Sequence, residues 1–319
     1  MTAIKISNLS DNLSFGSTVA GVTYAALEDP AVRSELNELF ESRGVIVFTG
    51  LESTSKMQVT LSNVFGPLKE HPTKSTKRAD ADTMPGVIDM HYIPGDPDGD
   101  VVEIDGQKLA RWSPWHFDHC YNDELNRAGV LRALVIPPVG GLTGFADGIE
   151  LYNSLSEATK RKVEQLKVIY TLDTRYSKMR FGLPKKFRNL VETPIGEAVA
   201  KESETRPRAL HPMVWQRPNG AKVLHVSPWM AVGIEGRETP EGDALLEEIC
   251  QEMLAKIHPY QHRWQPDHML IWDNWRMLHN VGGGDPQYER RVQRTTIKGD
   301  YGLGSFETGG HAGRVGNAS

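Results

Sequence analysis

Only two cysteines, Cys120 and Cys250, occur among the 319 residues. That is too few for a disulfide framework and suits a reducing compartment. No apolar run approaches the length needed to cross a bilayer. The first residues, Met1-Thr2-Ala3-Ile4-Lys5, lack the basic-then-apolar pattern of a secretory leader, so the expected location is the cytoplasm. No internal repeat is evident. Cationic excess is missing too: a net charge of −5 argues against a nucleic-acid or membrane-surface binder. Small-molecule partners remain, with homo-oligomerisation left open.

What is present is a chain with 39% apolar residues, enough for a real core. Val32, Leu36, Leu39 and Phe40 recur at helical spacing between Pro30 and Gly44, and Gly44 is a helix stop. Val45-Ile46-Val47-Phe48 reads as a short buried strand. A second amphipathic helix is expected from Ser55 to Phe65. Residues 77–111 break the pattern and read as a polar insertion, with Pro94-Gly95-Asp96-Pro97-Asp98-Gly99 as a turn. Strands are expected over 130–136, 222–226, 269–272 and 292–298, and two helical segments over 146–166 with Ser156 as the N-cap between them. Residues 175–208 are basic and irregular, and the tail from Gly309 is Gly-rich. Short strands dominating the second half with helices outside them predict a mainly β fold, a jelly roll decorated by helices. The organisation expected is one domain over 1–308, with an insertion at about 78–111, a lid-like segment at about 175–208 and a flexible tail at 309–319.

Three pieces carry chemistry. His116-Phe117-Asp118 follows an apolar wall of Trp112, Pro114 and Trp115; in a strand, positions i and i+2 share a face, so both side chains could converge on one ion. Trp272-Asp273-Asn274-Trp275-Arg276-Met277-Leu278-His279 reads as a strand ending in a polar loop that presents a histidine. Arg290, Val292, Arg294 and Thr296 share one face at strand period; if it is buried, the arginines need anionic partners. Two imidazoles and one carboxylate occupy one face of an octahedral Fe(II) and leave the other open, and Arg is a fork suited to a carboxylate. His258 and His262 are four apart, but Pro259 intervenes and no third ligand is near. Their neighbours His211 and His225 read as structural.

In this combination the chain resembles the iron(II)/2-oxoglutarate dioxygenases of the taurine dioxygenase and 2,4-dichlorophenoxyacetate dioxygenase type. The likeness runs from about residue 15 to 300. It includes Phe65-Gly66-Pro67, Gly141-Leu142-Thr143-Gly144-Phe145-Ala146-Asp147, His211-Pro212-Met213-Val214 and the Arg-x-x-x-Arg-Thr-Thr-Ile-Lys-Gly-Asp ending. The resemblance implies a double-stranded β-helix core and makes His116, Asp118 and His279 the iron ligands. It places Arg290 and Thr143 on the cosubstrate 2-oxoglutarate, and Arg294 and His71 on the primary substrate, with Trp112 beside them. It further implies that O2 is consumed, that succinate and CO2 are released, and that a C–H bond of a small organic substrate is oxidised, with hydroxylation the expected outcome. Arg294 and His71 favour an anionic group, and Trp112, Trp115, Trp229 and Trp275 an aromatic or apolar body. Two alternatives stay open at this point: a zinc hydrolase using the same three ligands, and a non-catalytic jelly-roll binding module.

Overall fold

Val45-Ile46-Val47-Phe48 shows how the core is laid down. Successive strand residues point to opposite faces, so Val45 and Val47 join one buried cluster while Ile46 and Phe48 join another. The same division recurs along Met269–Asp273: Leu270 and Trp272 go with the first pair, Met269 and Ile271 with the second. A strand buried on both faces reads as a continuous apolar run, not an alternating one. The computed structural model describes residues 4–70, 77–80, 84–96 and 99–307. His71 and the tail from 309 lie outside them.

An eight-stranded sheet runs in the order Lys5–Asn8, Ser17–Ala20, Val45–Thr49, Met269–Asp273, Ala128–Val135, Arg290–Ile297, Met84–Tyr92, Arg78–Asp80. A six-stranded sheet runs Arg188–Val191, Val101–Ile104, Gln107–His116, Met277–Gly284, Thr143–Asp147, Tyr260–His262. Val45, Val47, Leu131, Leu270 and Trp272 of the first pack with Phe145 and Met277 of the second, so the two sheets face each other over a shared core. Gly129 is small because Trp272 needs the space: a β-carbon there would lie 2.4 Å from the indole. The outer face of the large sheet is covered by helices Pro30–Arg43 and Ser55–Phe65 through Leu36, Phe40, Met57 and Leu61. Both helices start on side-chain caps, Asp29 and Thr54, and Gly44 ends the first at φ 74°. This is the expected jelly roll with helices outside it.

Three expectations need correction. The stretch 78–111 is, over its described residues, built into both sheets. Met84–Tyr92 pairs with Arg290–Ile297, and Val101–Ile104 forms a hairpin with Gln107–His116 around Asp105-Gly106. Its polar character comes from outward-facing residues: along the last strand Ala110, Trp112, Pro114 and His116 are buried while Arg111, Ser113 and Trp115 are less so. His279 is not on a loop. The polar turn is confined to Asn274–Arg276, where the chain crosses from the eight-stranded to the six-stranded sheet, and His279 sits inside strand Met277–Gly284. Conversely, Asp118 is not in a strand, because Gln107–His116 ends at the histidine.

Candidate active site

Strand pairing, not spacing within one strand, brings the two histidines together. His279 is in register with His116 on one side and Phe145 on the other, and the two imidazole rings lie 4.2 Å apart. Asp118 arrives from the turn that follows, where His119 takes a left-handed φ of 61°. Its main chain is gripped by Asn274, whose Oδ1 accepts from Asp118 N (2.8 Å) and whose Nδ2 donates to Asp118 O (3.0 Å).

The donor set fits a metal. The ligand atoms of His116, Asp118 and His279 lie within 4.8 Å of one another, and all three residues are buried. Nε2 of His116 and of His279 sit 3.9 and 3.8 Å from Asp118 Oδ1, too far for hydrogen bonds and with room for an ion between them. His116 Nδ1 donates to Pro114 O (2.8 Å), which leaves Nε2 with its lone pair. Burial lowers the His116 pKa, against the pull of Asp118, and drives His279 well below the ordinary value, helped by His116. Burial would raise Asp118, but Arg294 and then the two histidines outweigh it and hold the carboxyl below its usual range. Neutral imidazoles and an ionised carboxylate are the forms that bind metal. Among the described residues no other cluster of this kind occurs, and His258 and His262 do not form one: the helix before them ends at Ala255, and His262 bonds Tyr260.

Arg290 is buried, its Nη2 has no partner, and burial, then Arg111, pushes its pKa down to about 10. It lies against Gly141, where a β-carbon would come 3.3 Å from Nε. Two residues on, the buried Thr143 accepts a hydrogen bond from Trp264 Nε1 (3.1 Å). Arg294 reaches Asp118, with Nη1 at 2.8 and 3.0 Å from the two carboxylate oxygens and Nε unpartnered. Trp112 is buried and joined to the metal ligand His116 through two intervening rings, Tyr176 and Trp229. Trp229 meets His116 edge-on at 5.0 Å and stacks on Tyr176 at 6.1 Å, and Tyr176 in turn contacts Trp112 at 5.5 Å. The Tyr176 hydroxyl donates to the Trp112 carbonyl. Trp275 is engaged elsewhere, against Arg127 and Tyr301. A cavity of about 560 Å³ opens between Tyr121, three residues past Asp118, and helix Pro194–Ser203.

Asn274 and Trp264 escaped the sequence reading as site residues. The Asp-Asn pair after an apolar strand was the available signal for Asn274, since an amide offers both a donor and an acceptor to a peptide unit. Nothing local marks Trp264.

The family described as "Taurine catabolism dioxygenase TauD, TfdA family" matches residues 5–296. The chain is 29% identical to an (S)-phenoxypropionate/alpha-ketoglutarate-dioxygenase of Sphingobium herbicidovorans, over 90% of this chain and 92% of that one. It is 27% identical to an alpha-ketoglutarate-dependent 2,4-dichlorophenoxyacetate dioxygenase of a Burkholderia species, over 86% and 88%. Among solved structures, AAD-2 in complex with Mn(II) and N-oxalylglycine superposes with a TM-score of 0.69 at 22% identity, covering 94% of this chain and 99% of that one, a likeness of fold. The chain belongs to the TauD/TfdA family and is a dioxygenase that uses iron(II), 2-oxoglutarate and O2.

Proposed function

We propose that the enzyme hydroxylates a C–H bond of a small organic acid with an aryl or bulky apolar body, releasing succinate and CO2. The observation that carries the substrate class is the placement of an aromatic wall and a cation on the same metal ligands. Trp229 meets His116 and extends through Tyr176 to Trp112, while Arg294 reaches Asp118 and keeps Nε unpartnered. The two relatives named above carry the names of aryloxy-acid dioxygenases, which supports the same class.

In this reading His116, Asp118 and His279 hold the iron, which with 2-oxoglutarate activates O2. Arg290 receives the distal carboxylate of the cosubstrate: a buried guanidinium with an open donor and, among the described residues, the like-charged Arg111 as the neighbour that shifts it gains most from an anion. The Thr143 hydroxyl adds a second donor. Arg294 faces the carboxylate of the primary substrate while holding Asp118 ionised. Trp229 and Tyr176 flank the apolar body and keep water from the reacting carbon. A zinc hydrolase would leave Arg290 and Thr143 without a task, and an inert module would have no use for three converging metal ligands.

The deciding experiment is a succinate-release screen with iron(II), 2-oxoglutarate and O2 over aryloxyalkanoic, arylalkanoic and plain alkanoic acids, with alkyl sulfonates for comparison. Aryl acids are expected to give coupled product formation. Turnover confined to sulfonates, or to uncharged substrates, would remove this reading.

A further inference from the structure

We propose that Trp264 is a positioning residue for the cosubstrate: its indole N–H occupies one lone pair of the Thr143 hydroxyl and sets its rotation, so that the O–H is presented as a donor to the distal carboxylate of 2-oxoglutarate. The inference rests on the reading of Thr143 just given. Trp264 stands two residues beyond strand Tyr260–His262, whose His262 is in register with Thr143. The indole is held on all sides. It meets His262 edge-on at 4.5 Å and shares the inter-sheet cluster with Leu131, Phe145, Trp272 and Val292. From that fixed position Nε1 donates to Thr143 Oγ1 at 3.1 Å, with both residues buried.

An indole N–H can only donate, whereas a threonine hydroxyl can donate or accept and rotates to suit its surroundings. With the indole proton on its oxygen, Thr143 is left to use its own proton, and among the described residues no hydrogen bond takes it up. Arg290, lying against Gly141 in the same strand-entry loop, presents the unpartnered Nη2. Two buried donors that meet no acceptor among the described residues suit a group that accepts. A carboxylate meets that demand. A carboxamide would set its own N–H groups against N–H or O–H, leaving donors unpaired at a cost in binding. Trp264 thereby selects for the acid over the amide at the far end of the cosubstrate, without touching it.

The test is calorimetric titration of Mn(II)-loaded full-length protein, without turnover, using 2-oxoglutarate and its distal amide, 2-oxoglutaramate. The variants are Thr143→Val, Trp264→Phe, both together, and Trp264 replaced by 3-benzothienylalanine, which keeps the ring shape and deletes only the N–H. Losing the N–H is expected to weaken 2-oxoglutarate roughly two- to tenfold, the scale of one neutral hydrogen bond, and to narrow the preference for acid over amide, with manganese stoichiometry unchanged. In the Thr143→Val background, Trp264→Phe should add nothing. Unchanged affinity on deleting the N–H, or a loss equally large without the Thr143 hydroxyl, overturns the inference while leaving Thr143 as a cosubstrate residue. Unchanged affinity in Thr143→Val alone overturns the cosubstrate reading of Thr143 itself, and the inference with it. Should Trp264→Phe misfold, the benzothienyl variant decides.

Discussion

The side chain of Asn274 acts as a splint for the peptide units around Asp118, accepting from its N–H and donating to its carbonyl. Asn274 is itself fully buried and also donates to Asn126 Oδ1 at 3.0 Å. The turn it braces includes the left-handed His119, a conformation that costs on the order of 1 kcal/mol or more and persists only where its surroundings enforce it. Asn274→Ala should therefore loosen the only carboxylate ligand without removing it. Outer residues that orient metal ligands typically contribute roughly ten- to a hundredfold in affinity, and that is the loss expected in a manganese titration of a still-folded protein. Asp118→Ala should abolish stoichiometric binding. Wild-type affinity in Asn274→Ala would show that the turn holds itself.

Arg290 and Arg294 stand four residues apart and should separate by phenotype. Arg290→Ala should weaken 2-oxoglutarate binding, because a charged hydrogen-bonding partner contributes about 1.5–3 kcal/mol, roughly ten- to more than a hundredfold. Arg294→Ala should leave that constant nearly unchanged and raise the requirement for the primary acid. Since Arg294 also bonds Asp118, a secondary loss of metal affinity is expected in that variant only. If both substitutions alter the primary substrate alone, the assignment of Arg290 fails.

The site was legible in its parts and not in its assembly. Ligand types, their order and the downstream arginines stand in the sequence. The route by which they meet does not: spacing suggested one strand carrying His116 and Asp118, whereas the register of Met277–Gly284 against Gln107–His116 supplies the contact. Polar residues around the site are buried in pairs across long separations. Asp273 is fully buried between Arg127 (2.5 Å) and Arg217 (2.8 Å), and Arg276 forks onto Asp147 at 2.9 and 2.7 Å. These pairs make the polar loop at Asp273–Arg276 an interior turn between the two sheets, and partners this far apart in the chain leave no local trace. Helices Pro30–Arg43 and Ser55–Phe65 were read correctly because caps, stops and apolar spacing are all local.

Acid should destabilise the protein before its carboxylates titrate. Burial lowers four histidines outside the metal site, His268 among them, and three of these strongly: His211 to about 4, and His225 and His262 to about 3. Their unfolded values sit near the ordinary 6.5, so below that pH the unfolded chain takes up protons that the folded one refuses. Stability is full above about pH 6.5 and falls as pH drops toward 4 and 3, by up to about 1.4 kcal/mol per pH unit for each histidine. Urea midpoints measured at pH 7.5, 6.5 and 5.5 should fall slightly over the first step and about three times as far over the second. A midpoint unchanged down to pH 5.5 would contradict the neutral, buried state of these rings.

The segment 175–208 should tighten over the site when ligands are bound. It is anchored at one end, where the Tyr176 hydroxyl bonds the Trp112 carbonyl and Asp100. It is also tied midway, where Arg188–Val191 pairs with Val101–Ile104 at the edge of the six-stranded sheet. Between that strand and Ala209, helix Pro194–Ser203 lines the cavity beside Tyr121 and buries only two of its residues, Gly196 and Val199. A helix so lightly packed opens at little cost, and shielding a reactive centre requires some element to close after the substrate enters. The helix is placed to do so, while the paired strand is not free to move with it. Amide exchange followed by mass spectrometry should therefore slow over 194–205 when Mn(II), N-oxalylglycine and an accepted aryl acid are all bound. Exchange over 188–191 should change little, since its ladder hydrogen bonds already exist. Equal exchange of the helix with and without ligands would leave it as ordinary surface and place the closing element elsewhere.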